Sequence, residues 1–215
     1  MFSKYDVYST VQSIYCYHDT NVLKNKLNIQ DLDTLKQFEE EIVSAKSYEL
    51  IINPISGFFS KTHLFNIHRY LFEDVYPFAG KLRKEQIYKG NTIFYPPDCI
   101  DNELNKVFDK IKSCKGNTFD KKDLFDFTAY IMAELNIIHP FREGNGRAIR
   151  EFIRQWMLKF GYSLNWGNAS RDDILNASIM SVDDYRALVP ILKICVLDNE
   201  QLDSYIHQKH KPHKC

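Results

Sequence analysis

The chain is 215 residues long with 44% hydrophobic and 14% aromatic content, enough for a sizeable core without disulfide or metal staples. Its 28 basic and 28 acidic residues cancel, so composition supplies no general attraction to nucleic acid or to a membrane surface. Cys16, Cys99, Cys114, Cys195 and Cys215 form no Cys-x-x-Cys pair and leave an odd count, which argues against structural zinc and against a disulfide framework. Met1 to Asp6 lack the basic flank of a signal peptide, and no apolar run is long enough to cross a bilayer, so the expected setting is cytoplasmic.

In chain order, Leu35, Phe38, Ile42 and Ala45 recur at helical spacing and predict a first helix. Leu64, Ile67, Leu71 and Phe72 predict a second, ending before Tyr76-Pro77. Two short β-prone runs, Gln86-Ile87-Tyr88 and Ile93-Phe94-Tyr95, flank Lys89-Gly90-Asn91-Thr92 and read as a hairpin stopped by Pro96-Pro97. Ile100, Leu104, Val107, Phe108 and Ile111 predict a third helix, opened by Asp98 and closed near Gly116. Residues 120–138, with Leu124, Phe127, Ile131, Leu135 and Ile138 on one face, form a fourth, and 146–160 a fifth that stops at Gly161. Ser170-Arg171-Asp172-Asp173 has the pattern of a helix start, for a short helix to about Met180. Tyr185, Leu188, Val189 and Leu192 mark a last helix that Pro190 is expected to kink or split. The expected fold is all-α, a mainly helical bundle with one short β-hairpin near 86–95. A single domain is expected over 1–200, with a polar, flexible tail over 201–215.

The densest chemistry lies in His139-Pro140-Phe141-Arg142-Glu143-Gly144-Asn145-Gly146-Arg147-Ala148-Ile149-Arg150. A base, a carboxylate, a glycine turn and two guanidiniums share twelve residues, an inventory suited to a polyphosphate with a proton acceptor beside it. The turn opens the fifth helix, on which Arg147, Arg150 and Arg154 fall within about 60° of one another, opposite the apolar stripe. A helix start prefers acidic residues, so arginines there cost up to about 1 kcal/mol unless a bound anion compensates. The bland alternative is an ordinary helix-entry turn with a core histidine, and the coincidence of all these parts weighs against it. A P-loop is excluded for want of Gly-Lys-Ser/Thr, and a dinucleotide fingerprint because Ile149 stands where its third glycine belongs.

Every defined position of this segment resembles the signature of the Fic family, His-Pro-Phe-x-Asp/Glu-Gly-Asn-Gly-Arg-x-x-Arg. Tyr15-Cys16-Tyr17 with Asn21 to Leu27, and Phe72 to Gly80, also resemble segments of bacterial Fic toxins. The resemblance implies a Fic-type helical bundle that transfers AMP from ATP to a Ser, Thr or Tyr hydroxyl of a target protein, releasing pyrophosphate. It implies His139 as general base, Glu143 as the Mg²⁺ ligand, and Gly144, Asn145, Gly146, Arg147 and Arg150 as the ATP-phosphate cradle. Phe141 is read as a loop anchor, and Arg142, at the variable position, receives no role. On its residues alone the hairpin reads equally as a packed ornament or as an edge that captures an extended peptide; the resemblance implies a flap, in which Lys89, Ile93 and Phe94 dock the target. A Doc-like branch carries Lys in place of Gly146 and transfers phosphate; other relatives use UMP or phosphocholine donors. Gly146 favours AMP. The alternatives to AMP transfer are another nucleotide donor and a non-catalytic nucleotide-binding module.

Many Fic relatives carry an inhibitory Ser/Thr-x-x-x-Glu-Gly/Asn pattern. Here the sole Glu-Gly is Glu143-Gly144, and Glu-Asn does not occur. The resemblance to toxins therefore implies a separate small antitoxin that supplies a glutamate to Arg150. It further implies type II topoisomerase subunits as targets; the balanced charge and the want of a long apolar run lead us to expect neither membrane nor direct nucleic-acid binding.

Overall fold

The structure, a computed structural model, describes residues 12–90, 92–114 and 119–197; the expected tail over 201–215 lies outside the described residues. Among these are α1 (Leu32–Ile52), α2 (Lys61–Phe72), α3 (Pro97–Ser113), α4 (Lys121–Ile138), α5 (Asn145–Lys159), α6 (Arg171–Met180) and α7 (Leu188–Cys195). One antiparallel hairpin, β1 (Tyr88–Lys89) and β2 (Thr92–Ile93), interrupts them. The all-helical expectation, hairpin included, describes this architecture. The chain divides into two compact units, one of Met1–Cys114 with Glu134–Phe152 and the other of Lys115–Ala133 with Ile153–Cys215.

The first unit begins with a local knot. Cys16 and Leu23 form an antiparallel bridge. Asn25 donates to the carbonyls of Leu23 and Ile29 and accepts from the N–H groups of Leu27 and Ile29, which delivers the chain to α1. Asp31 caps α1 by accepting from Thr34 N at 2.8 Å, and Ser60 caps α2 in the same way through His63 N. The buried face of α2 is Leu64, Ile67, Leu71 and Phe72, as the spacing predicts, with His63 and His68 added to it. In α3 the five predicted apolar positions are all buried. That helix starts at Pro97 rather than at an Asp98 cap, because a proline at the first helical position lacks only an N–H that would have no partner there.

The predicted face of α1 needs correction. Its buried residues are Leu35, Glu39, Val43 and Leu50; Phe38 and Ile42 are half-buried and Ala45 is exposed. The apolar pattern pointed about one position away because a carboxylate, Glu39, stands in the middle of the true inner face.

In the second unit the indole N–H of Trp156 donates to Thr128 Oγ1 at 3.2 Å, and Phe125 packs edge-on to Tyr162. Gly161, at φ +82°, ends the fifth helix in the left-handed conformation expected of a terminal glycine. Ser170 caps α6 through Asp173 N. Pro190 does not kink α7. The break falls earlier, at a 3-10 turn over Tyr185–Ala187, and Pro190 occupies the first turn of α7, where its missing N–H is harmless. The basic stripe of α5 also differs from expectation: Arg154 is buried together with Glu151 and Gln155, so this helix is enclosed on its polar side as well.

Candidate active site

All the residues singled out in the signature through Arg150 belong to the first unit, as does the hairpin. His139 lies one residue beyond α4, with its N–H bonded to Leu135 O at 3.1 Å and a φ of +49°. This is where a helix usually places glycine, and a Cβ there costs roughly 1 kcal/mol. The side chain is oriented by its own helix: Nδ1 lies 3.1 Å from the carbonyl of Asn136. A carbonyl only accepts, so Nδ1 carries the hydrogen and Nε2 is the basic nitrogen. Phe94 stacks on the ring with centroids 3.8 Å apart. Burial pushes the His139 pKa down from 6.5 to about 3 against the pull of the Asn136 bond, and the charges of Lys89 and Arg83 add to the fall.

The loop after His139 is closed on itself. Asn145 accepts from Phe141 N at 2.8 Å and donates to Phe141 O at 2.7 Å, so its side chain shapes the turn. Phe141 is fully buried, the anchor expected of it, and stacks on His68 at 3.8 Å. Sequence reasoning missed His68, although it sits on the apolar face of α2. Its Nε2 donates to Glu143 O and its Nδ1 accepts from Gly80 N, both at 2.8 Å. Those two partners fix a neutral tautomer, and burial pushes its pKa down to about 3 against the Glu143 bond, with Arg147 adding to the fall. His68 thus pins the loop to the turn at Gly80.

Gly144 is held by its own packing: at φ +80°, a Cβ would sit 2.2 Å from Phe72 Cζ. Gly146 makes room for Arg150, whose Nη1 lies 3.2 Å from where a Cβ would stand. Glu143 Oε1 accepts from Gly144 N at 2.8 Å and from Arg147 Nη2 at 3.2 Å. The same Nη2 pairs with Glu39 Oε1 at 2.5 Å, while the Tyr76 hydroxyl donates to Glu39 Oε2. Arg147 also lies over the Phe72 ring, 4.6 Å from its centroid. An isolated carboxylate at the full burial of Glu39 would lose several kcal/mol of hydration, and Arg147 with Tyr76 supplies the compensation. One terminal nitrogen of the first motif arginine is therefore committed to these two carboxylates. A charged residue at i+4 from Leu35 and i−4 from Val43 was the signal available in sequence for Glu39.

In the hairpin Tyr88 pairs with Ile93 and Lys89 with Thr92. Of the predicted docking residues, Lys89 is exposed and Ile93 is 67% exposed, whereas Phe94 turns inward onto His139. Arg142 is buried beside Glu85 at 3.9 Å. Among the described residues no set of three His, Cys, Asp or Glu side chains is grouped to hold a metal, and no helix is long and apolar enough to cross a membrane.

Residues 58–157 match the Fic/DOC family. The chain is 32% identical over 176 residues to a probable protein adenylyltransferase of Sinorhizobium fredii, which covers 81% of this chain and 90% of that one. The chain belongs to the Fic/DOC family. Within the family it is also 36% identical over 170 residues to the protein adenylyltransferase VbhT of Bartonella schoenbuchensis, covering 78% of this chain and only 35% of that longer protein. It is 30% identical over 160 residues to the probable protein adenylyltransferase Fic of Escherichia coli, or 74% of this chain and 78% of the other. Among solved structures, the N-terminal Fic domain of a Bartonella effector protein superposes with a TM-score of 0.79 at 21% identity, covering 86% of this chain and 92% of that one. The BepC protein of Bartonella tribocorum, solved with bound AMPPNP, gives 0.77 at 20% identity, covering 86% and 97%. At those identities the two structures establish the shared Fic fold.

Proposed function

We propose that this Fic protein is a protein adenylyltransferase that moves AMP from ATP onto a hydroxyl side chain of a target protein. The observation that carries the reading is the 3.1 Å contact of His139 Nδ1 with the Asn136 carbonyl: since a carbonyl only accepts, Nδ1 is the donor and Nε2 the proton acceptor. The names of relatives matched over most of this chain support the same chemistry. In the proposed step the target oxygen attacks the α-phosphorus in line and forms a P–O bond. The bond from that phosphorus to the β-bridging oxygen breaks, pyrophosphate leaves with its electron pair, and the hydroxyl proton passes to His139 Nε2. Catalysis rests on positioning and charge neutralisation, without a covalent enzyme intermediate.

The start of α5 and the guanidiniums of Arg147 and Arg150 are the proposed phosphate site, with Asn145 holding the loop and Gly144 and Gly146 admitting Phe72 and Arg150. Glu143 fits a magnesium ion that keeps several waters and takes its other ligands from phosphate. Only Oε1 is bonded among the described residues, and a single carboxylate oxygen suits such an ion better than a caged site. Bound there, Mg²⁺ would neutralise phosphate charge. Ile93 and Lys89 are proposed to meet the target at the hairpin edge, where the exposed apolar side chain suits an extended peptide.

The deciding experiment incubates purified protein with α-labelled or γ-labelled ATP, Mg²⁺ and a lysate. Label entering protein from the α-position only, lost in His139→Ala and on chelation, is the expected result. Label from the γ-position only would mean phosphate transfer; none from either would favour a binding module or another donor. Type II topoisomerase subunits are the first purified targets to assay. A toxin role with a separate antitoxin directed at Arg150 predicts growth arrest on expression alone, dependent on His139 and relieved by the partner.

A further inference from the structure

Arg83 is 2% exposed, yet among the described residues every hydrogen-bond acceptor of its side chain is a main-chain carbonyl. Nε donates to His139 O at 2.8 Å and Nη1 to Glu85 O at 2.7 Å. Nη2 donates to Tyr95 O and to Ile138 O, the latter at 3.3 Å. Its backbone N–H adds a bond to Pro140 O at 2.9 Å. Glu85 and Tyr95 are the two roots of the hairpin; Ile138 is the last residue of α4 and His139 the residue after it, where the final helical carbonyls have no partners within the helix. The hairpin has only two paired residues in each strand, too few to hold a position by itself. A guanidinium carries its donors in a rigid planar fork, so one group bonded to both roots and to the main chain of the base sets their separation. Burial lowers its pKa only to about 10, which keeps the fork charged at neutral pH.

We propose that Arg83 is a positioning residue for transfer to protein: it holds both roots of the hairpin at a fixed distance from His139, so that a hydroxyl presented on the hairpin meets Nε2. This inference rests on the adenylyltransferase reading above and adds a component that the signature segment does not contain. Arg83 touches neither the nucleotide cradle nor the exposed hairpin edge, and acts through the main chain alone.

The test uses the full chain with Arg83→Lys, which keeps the charge and loses the fork, and Arg83→Gln as a second variant. A misplacement of about 1 Å is worth on the order of 100-fold in rate, so kcat/KM for the protein target should fall by roughly that factor while ATP affinity stays within about two-fold. In an Ile93→Asp background, where the hairpin no longer docks the target, Arg83→Lys should cause little further loss. Equal fold losses in both backgrounds, or ATP binding that falls with transfer, would overturn the proposal. Hydrogen exchange supplies a readout independent of turnover: the paired hairpin amides should exchange faster in Arg83→Lys while those of α2 do not change. A wild-type chain that labels no protein would defeat the adenylyltransferase reading. The exchange arm would still decide whether Arg83 holds the hairpin, and unchanged hairpin exchange would reject the strut on its own.

Discussion

Phe94 covers one face of the His139 imidazole, with centroids 3.8 Å apart and ring planes 16° from parallel. The hairpin that is proposed to receive the target thus also shields the base from water, and burial, to which this stack contributes, is the leading cause of the low His139 pKa. Replacing Phe94 by Ala should raise that pKa toward 6.5, so the acid limb of kcat/KM against pH shifts to higher pH. A pH profile superimposable on wild type would show that the stack does not tune the base. Loss of the buried ring should also lower stability by about 3 kcal/mol.

Ile93, one residue earlier, has the opposite exposure. Ile93→Asp should change stability by no more than about 0.5 kcal/mol, because the side chain is 67% exposed. Modification of the protein target should weaken markedly with ATP affinity intact. Unaltered turnover of the target would remove the hairpin edge from recognition.

Glu39→Ala leaves Arg147 without its shortest carboxylate contact and the Tyr76 hydroxyl without its acceptor. Breaking a buried pair of this kind should cost about 3 kcal/mol, read as a lower urea midpoint at constant slope. A loss under about 1 kcal/mol would mean that Glu143 alone satisfies the guanidinium.

Gly144→Ala combines a left-handed backbone with a Cβ that would overlap the Phe72 ring. The expected loss is at least about 2 kcal/mol, and it should be eased when Phe72→Leu is combined with it. Additive losses in the double variant would place the strain elsewhere.

His68 gives stability a definite dependence on pH. Its folded pKa of about 3 lies below the ordinary 6.5, so between those values the unfolded chain binds a proton that the folded chain refuses. Stability from this group is complete above 6.5 and is lost as pH falls, by about 1.4 kcal/mol for each pH unit. Denaturation midpoints from pH 7 to pH 5 should therefore decline less steeply in His68→Gln. An equal slope in the variant would show that His68 does not refuse the proton.

The signature at 139–150 was legible because its chemistry is contiguous, and α2 and α3 because apolar side chains mark their inner faces without interruption. Glu39, His68 and Arg83 escaped for one physical reason. Each is a polar residue buried among partners distant in sequence, and its value appears only when the fold brings Arg147, Gly80 and the carbonyls of residues 85, 95, 138 and 139 to it. Phe94 was read as an outward contact since alternation along a strand assigns sides only when the register is known, and here Tyr88 opposite Ile93 sets it. The glycines were noticed for a property that the fold also uses among its own side chains: Gly144 yields to a phenylalanine and Gly146 to an arginine.

Because Arg83 grips only peptide oxygens, the identity of the residues at the hairpin tip is decoupled from what anchors it. On the proposed reading, mutation can rewrite Lys89, Thr92 or Ile93, and with them the choice of client, without disturbing the proposed site of reaction. A scaffold of this kind lends itself to diversification and to deliberate retargeting, one short ribbon at a time.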